Sequence, residues 1–309
     1  MLHKMKLQQS PFERIKEGKK SVEFRLFDEK RKQIEIGDQI EFSKLPDLQE
    51  KVVVDVLDLY KDKTFNSLFY RLLSDKKEIE RKTESMLRFY SHEDEAKYGV
   101  LGIKIKINTS NLKNQIKNYI PFNEQEEVEK RIFLKHFEDE EDVLTRANEQ
   151  AHFTSSAFVL NKERTKMLVI YHKIYDSWGW TGGHSDGDSD LLYVAMKEAM
   201  EETGIAEVKP ILDDIFSIEI INVNGHIKRG KYVASHAHLN VTYLLEADDK
   251  QDIRIKEDEN KGVKWINIED ILKCSTEKWV VNNVYAKIIA KMKEEKIIQE
   301  IWQKLINAI

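Results

Sequence analysis

The sequence predicts an α+β protein of two domains, the second an α/β/α sandwich. A length of 309 residues is enough for two separate cores. The polar, Asn-rich stretch Asn108-Thr109-Ser110-Asn111-Leu112-Lys113-Asn114 reads as a linker between them. Beyond it, short apolar runs surround one glutamate-rich helical pattern, as strands do when helices pack outside them. The division is therefore 1–108, a linker at 109–120, and 121–309 with a core at about 152–273.

In the first half a short helix ends at Gly18, and a strand follows from Ser21 to Leu26. Ser21, Glu23 and Arg25 share one face of that strand; Val22, Phe24 and Leu26 share the other. Lys20, Glu23 and Arg25 then read most simply as an exposed strand face with ion pairs, each worth little. Gly37-Asp38 makes a tight turn into another strand, and residues 99–107 alternate like a strand with one buried face.

In the second half Pro121 opens an acidic amphipathic pattern through about residue 148, read as two helices. Ser156–Asn161 and Met167–His172 look like the strands of a hairpin. Ile215–Val223, Ala237–Glu246 and Val263–Ile268 read as further strands. A short helix starts at Ile268, and Asn282–Ile309 reads as a long terminal helix.

The most informative stretch runs from Gly182 to Ile205. A Gly-Gly turn feeds a helix that carries Glu198, Glu201 and Glu202, at spacings that put the carboxylates on one face. Its other face is apolar: Leu191, Leu192, Val194, Ala195 and Ala199. Three like charges so close weaken a helix unless a hard cation such as Mg2+ or Mn2+ sits among them. Such a cation also binds phosphate oxygens, which points to cleavage of a pyrophosphate.

This stretch resembles the Nudix hydrolase signature: a glycine, a glutamate, then Arg-Glu-apolar-x-Glu-Glu-x-Gly-apolar. Gly183, Glu198, Ala199, Glu201, Glu202, Gly204 and Ile205 fall on the pattern. Lys197 stands at the arginine and Ser189 at the first glutamate, although Gly187-Asp188 offers a similar pair one residue early. The resemblance implies a metal-dependent hydrolase of a nucleoside diphosphate derivative. Glu198, Glu201 and Glu202 would hold Mg2+ or Mn2+, with Lys197 steadying a carboxylate or phosphate. Glu259, six residues before Trp265, would be a further ligand or the base for water.

Pro11-Phe12, Gly18-x-Lys20-x-x-Glu23-x-Arg25, Gly37-Asp38 and Tyr98-Gly99-Val100-x-Gly102-Ile103 resemble the ASCH domain, a PUA-like β-barrel. That likeness implies nucleotide or RNA binding through Lys20, Glu23 and Arg25. Some ASCH proteins are amidohydrolases on acylated cytidine; Lys20 matches their lysine, whereas Glu23 occupies the place of their threonine.

Other residues suit a phosphate or its leaving group. Gly182, Gly183 and His184 border the helix, and Lys228 and Arg229 lie in a basic loop. His236 and His238 face the same way on a strand; they read as substrate contacts, or as zinc ligands with His226 or Cys274. Tyr171, Trp178 and Trp180 are core, lid or a stacking surface for a base.

Composition narrows the classes. Charged residues make up 34% and apolar ones 41%, and no apolar run is long enough to span a bilayer. The single Cys274 excludes an intramolecular disulfide, which with the lack of a secretory leader points to the cytoplasm. The first half is the more basic, which suits a nucleic-acid partner without requiring one. The alternative functions are a retired sensor that binds nucleotide or RNA without turnover and an ASCH-type amidohydrolase on a modified nucleoside; the oligomeric state is left open by the sequence, a homodimer being one option.

Overall fold

Two compact units divide between Thr109 and Ser110, and the computed structural model describes residues 1–139, 142–228 and 230–298. In the first unit, β1 (Leu2–Leu7), β2 (Val22–Leu26), β3 (Gln39–Lys44), β4 (Lys51–Asp62) and β5 (Val100–Ile107) form one sheet in the order β1-β3-β4-β5-β2. Only the β1–β3 pairing is parallel. Alternation drives it: Met5 and Leu7, Ile40 and Phe42, and Val52, Val54 and Val56 all turn inward. Helix α1 (Gln9–Lys16) closes that core with Phe12 and Ile15.

The sheet curls until its edges approach, and Arg25 on β2 donates to the Lys6 carbonyl on β1 at 3.2 Å. Between β4 and β5 lie three helices, α2 (Phe65–Leu72), α3 (Lys76–Leu87) and α4 (His92–Tyr98), that the sequence reading did not locate. Phe65, Leu68, Phe69 and Ile79 form their own small core with Val100. The buried Glu95 carboxylate accepts from the Phe65 N–H at 2.7 Å, satisfying an orphan donor in the first turn of α2.

The expected linker is a helix. In α5 (Ser110–Asn118) Leu112 and Ile116, four residues apart, are fully buried, so two apolar residues outweigh the polar composition around them. Among the described residues between Pro121 and residue 148 there is one helix rather than two, α6 (Glu124–Asp139).

The second unit is built on a mixed sheet. Its strands are β6 (Ala151–Asn161), β7 (Lys166–His172), β8 (Ser177–Gly179), β9 (Thr181–His184), β10 (Lys209–Pro210), β11 (Ser217–Val223), β14 (His236–Ala247) and β15 (Asn260–Asn267). The order β10-β14-β6-β7-β15 forms the spine, with β9 on β6, β8 on β7 and β11 on β14. A separate hairpin joins β12 (His226–Lys228) to β13 (Lys231–Val233). The β6–β14 pairing is parallel and runs the length of both strands.

Helix α7 (Leu191–Thr203) packs on β6, β9 and β14. A second apolar layer comes from α8 (Ile271–Cys274), α9 (Lys278–Val280), the π-turn Val281–Tyr285 and α10 (Ala286–Glu294). Ile271, Val284, Tyr285, Ile288 and Met292 meet Phe158, Leu160, Met167 and Val169 of the sheet. These layers are the expected α/β/α sandwich. The terminal helix that the sequence predicts from Asn282 through Ile309 instead ends at Glu294, with Lys296 in the left-handed region just beyond it; residues 299–309 lie outside the described residues.

Candidate active site

The expected Gly-Gly turn is a strand. On β9, Gly182 pairs with Ser156 and Gly183 with Ser155, so the glycines gain ladder bonds instead of turning freely. What requires glycine is close approach. A Cβ on Gly183 would come within 2.5 Å of Glu198 Cδ, and one on Gly182 within 2.6 Å of Ser156 Oγ. Asp190 caps α7, its carboxylate accepting from the Tyr193 N–H at 3.0 Å, and Gly204 ends it in the left-handed region.

The strand and helix together seat Glu202. It is 3% exposed, and its Oε2 accepts from the Gly182 N–H at 2.9 Å. Burial pushes its carboxyl well above the usual range, against the Gly182 hydrogen bond, and the nearby Glu198 and Glu259 charges add to the rise. Glu198 is also raised, again chiefly by burial and despite Lys256. Asn260 fixes the end of the helix, donating to the Glu202 carbonyl at 2.9 Å.

Glu198, Glu202 and Glu259 line one cavity of about 340 Å3 with Gly182, Gly183, His184 and His238. Glu201 is not among its walls. It lies on a neighbouring groove, where Lys197 and Lys256 approach it at 3.7 and 3.8 Å. The three helix glutamates are therefore split: two face the cavity and the third faces the rim. A spacing of three or four residues gives proximity, but not a common outlook.

Lys256, which the sequence reading missed, joins rim to cavity through a 2.8 Å pair with Glu259. Burial would lower its ammonium pKa, but the hydrogen bond and charge of Glu259 raise it further, so Lys256 stays charged. Its spacing of three before Glu259 was the available signal. Arg146 and Asp186 are further wall residues without a motif, held together as an ion pair. Asn240 lies on the floor, its Oδ1 accepting from Thr154 at 3.0 Å and Ser156 at 2.8 Å while its Nδ2 donates to Glu219 at 2.8 Å.

The expected histidines gather differently from the zinc grouping with His226 or Cys274. His236 and His238 meet His152 and His184, because β9, β6 and β14 are neighbours and His152 is the ladder partner of His238. Cys274 lies on α8, and His226 lies on β12 with its ring 6.4 Å from that of His236. Among the aromatics, Trp180 lines the cavity against Tyr285, while Trp178 packs on Tyr171. Arg229 and the Lys228 side chain lie outside the described residues.

In the first unit Lys20, Glu23 and Arg25 come together, yet not as an exposed face. Glu23 is 2% exposed, with Lys20 Nζ 3.0 Å from one carboxylate oxygen and Arg25 Nη2 2.9 Å from the other. Leu101 and Ile103 on the adjoining β5 are buried around it.

Comparison with known proteins adds the family. A model of the ASCH domain matches residues 5–108, and a model of the NUDIX domain matches residues 151–291. An RNA pyrophosphohydrolase of Pelagibacter ubique is 32% identical over 143 residues, covering 44% of this chain and 87% of that protein. The chain belongs to the Nudix family. It is a Nudix hydrolase acting on diphosphate bonds, with an ASCH domain before the Nudix domain. Among solved structures, a Pyrococcus furiosus protein is 34% identical and matches 35% of this chain and 97% of its own, with a TM-score of 0.28. A C. elegans Ap4A hydrolase is 17% identical and matches 46% and 98%, with a TM-score of 0.33. No helix among the described residues is long and apolar enough to cross a membrane.

Proposed function

We propose that the Nudix domain cleaves the diphosphate of a nucleoside diphosphate derivative with Mg2+ or Mn2+, held by Glu198 and Glu202 and supported by Glu201 from the rim. Glu202 carries the reading. Its buried carboxylate has like-charged neighbours and a raised pKa, and an oxygen-seeking cation is what would favour its ionised form. When bound, the metal would neutralise phosphate charge and make a bound water more acidic.

The side chains supply the rest. Glu259, which lines the cavity, would take a proton from the attacking water, and its position inside the cavity favours it over Glu201 on the rim for that role. Lys256 and Arg146 offer positive charge to phosphate oxygens, with Lys197 tethered to Glu201 behind them. His184 and His238 line the same wall and can donate to the leaving group. Tyr175, stacked on His172 with ring centroids 4.5 Å apart, offers a flat surface for a base.

For the ASCH domain the same proposal assigns binding of nucleotide or RNA through Lys20 and Arg25, with Glu23 orienting both. Salt-dependent RNA retention that drops in the Lys20→Ala/Arg25→Ala double variant supports this; unchanged retention removes it.

For catalysis, the protein is incubated with Mn2+ and a panel of 5′-triphosphorylated RNA, dinucleotides, nucleotide sugars and nucleoside triphosphates. The substrate of the P. ubique relative puts RNA first in the panel. Cleavage that disappears in Glu202→Gln is expected, read as pyrophosphate released from triphosphorylated RNA and as nucleoside monophosphate formed from the dinucleotides, nucleotide sugars and triphosphates. Tight binding without turnover across the panel would leave a sensor and sink the enzyme.

A further inference from the structure

Beside the carboxylate site, β6, β9 and β14 bring four imidazoles to one face of the sheet. The geometry points to a second, all-histidine metal site, in which His152, His184, His236 and His238 bind a divalent transition-metal ion of the zinc class. This does not rest on the diphosphate chemistry, since none of the four is a carboxylate ligand.

Backbone register does the gathering. His152 pairs with His238 across the parallel β6–β14 ladder, and His236 precedes His238 by two residues, so it shares that face. His184 pairs with Thr154, two residues after His152, which brings it to the same face from β9. One ligand atom from each ring lies within 4.8 Å of those from the other three.

Two rings are already oriented as ligands. The Nδ1–H of His152 donates to the Asn148 carbonyl at 2.9 Å, and that of His236 to the Ala234 carbonyl at 2.9 Å. Donation from Nδ1 leaves the Nε2 lone pair unprotonated, which is how proteins set the tautomer of a metal-bound histidine. His152 is 4% exposed, and its Nε2 is buried without a hydrogen-bond partner. An orphaned acceptor there costs stability unless something electropositive meets it.

Spacing agrees. His236 Nε2 and His238 Nε2 lie 3.2 Å apart. Two nitrogens bound about 2.0–2.1 Å from one tetrahedral zinc are separated by about 3.3 Å. Imidazole suits zinc, copper, nickel and iron, whereas Mg2+ and Mn2+ prefer oxygen, so the two sites divide the metals by ligand chemistry. Access is available, because His236 and Tyr232 line an outer cavity of about 420 Å3 that also reaches His184 and His238. Those last two histidines also wall the carboxylate cavity, so a metal here would sit beside the bound phosphates.

The test uses the full-length protein without a polyhistidine tag. It is stripped with chelator, dialysed against Zn2+ and assayed for bound zinc; the Co2+ form is examined by visible absorption. A single zinc per chain is expected, kept in Glu202→Gln and lost in His152→Ala and in His236→Ala. Tetrahedral cobalt bands should follow the same pattern. His152 is buried, so the half-exposed His236 gives a variant whose fold circular dichroism can verify. Zinc should raise Tm in the wild type and not in His236→Ala. Zinc uptake no greater in the wild type than in His236→Ala overturns the site. So does uptake lost in Glu202→Gln but kept in His236→Ala, which would place the ion on the carboxylates.

Discussion

Lys256 Nζ lies 2.8 Å from Glu259 Oε2, and the same ammonium reaches to 3.8 Å from Glu201 Oε2. One cation thus links the loop carboxylate inside the cavity to the helix carboxylate on its rim. A positive charge at that position opposes any metal drawn to these carboxylates, while attracting the phosphates of a substrate.

Removing it separates the two effects. In Lys256→Met, half-saturation by Mn2+ should need less metal, up to about tenfold, as expected for a double and a single charge a few ångströms apart in a wet site. KM for substrate should rise. Calorimetry of Mn2+ binding and steady-state kinetics check this; a variant that needs more Mn2+ would show that Lys256 helps to hold the metal.

Gly183→Ala tests how tightly β9 fits against α7. The new Cβ would fall 2.5 Å from Glu198 Cδ and 2.7 Å from its Oε1, so the carboxylate must move. A displacement near 1 Å costs about 100-fold in rate when position matters. We expect kcat to drop by that order with a normal circular dichroism spectrum. Activity within a few fold of wild type would mean that Glu198 can move without harm.

The second unit was largely legible because its strands are apolar runs bounded by breakers, and its signature helix has caps at both ends. Ser156–Asn161 and Ala237–Glu246 both lie inside the observed strands. Where the reading failed, tertiary pairing had overridden local chemistry: Gly182-Gly183 became a strand because Ser155 and Ser156 stood ready to pair. The Asn-rich linker became α5 because burial of Leu112 and Ile116 outweighs composition. In the site, the motif named Glu198 and Glu202 but could not show that Glu201 faces elsewhere. Of the four clustered histidines, His184, His236 and His238 were each visible as candidates, but only His236 and His238, two residues apart on one strand, as a pair. His152 was not visible; it reaches them only through strand order, which no local pattern encodes.

In the ASCH domain, Glu23→Ala should cost about 1–3 kcal/mol, since Lys20 and Arg25 lose a buried, charged acceptor but can still reach water. All five tryptophans lie after residue 110, so tryptophan fluorescence reports the Nudix half and far-ultraviolet circular dichroism reports both. The dichroism transition should move to lower denaturant while the fluorescence transition stays. No movement in either would show that the triad adds nothing to stability, and a joint shift that the two halves unfold together.

A buried network below the cavity floor sets the sharpest stability test. Lys287, on α10, donates to Glu126 at 2.9 Å and to the Ile218 carbonyl at 2.9 Å, and lies 3.2 Å from Glu219, which uses all three of its protons. Both glutamates are fully buried. Burial raises the Glu126 pKa, but Lys287 and the Tyr119 hydroxyl more than offset this, leaving it below its ordinary 4.5. Because its folded pKa is the lower one, its contribution is present above about pH 4.5 and is lost as pH falls through the folded value. Lys287 is raised above 10.5, since the two carboxylates outweigh its desolvation; its contribution is present below 10.5 and is lost as pH rises through the folded value. Between those limits the contributions of Glu126 and Lys287 should be flat with pH. Lys287→Met removes the ammonium that bonds both carboxylates and leaves only Lys291, held behind the Tyr119 hydroxyl at 3.2 Å, a loss of about 3–5 kcal/mol. The sign of its pH dependence then changes: protonating one carboxylate relieves the repulsion, so the deficit should be largest near pH 8 and shrink towards pH 5. Urea denaturation of both proteins at the two pH values measures it. A deficit that is the same at both, or below about 1 kcal/mol, would show that the carboxylates are already neutralised in the wild type.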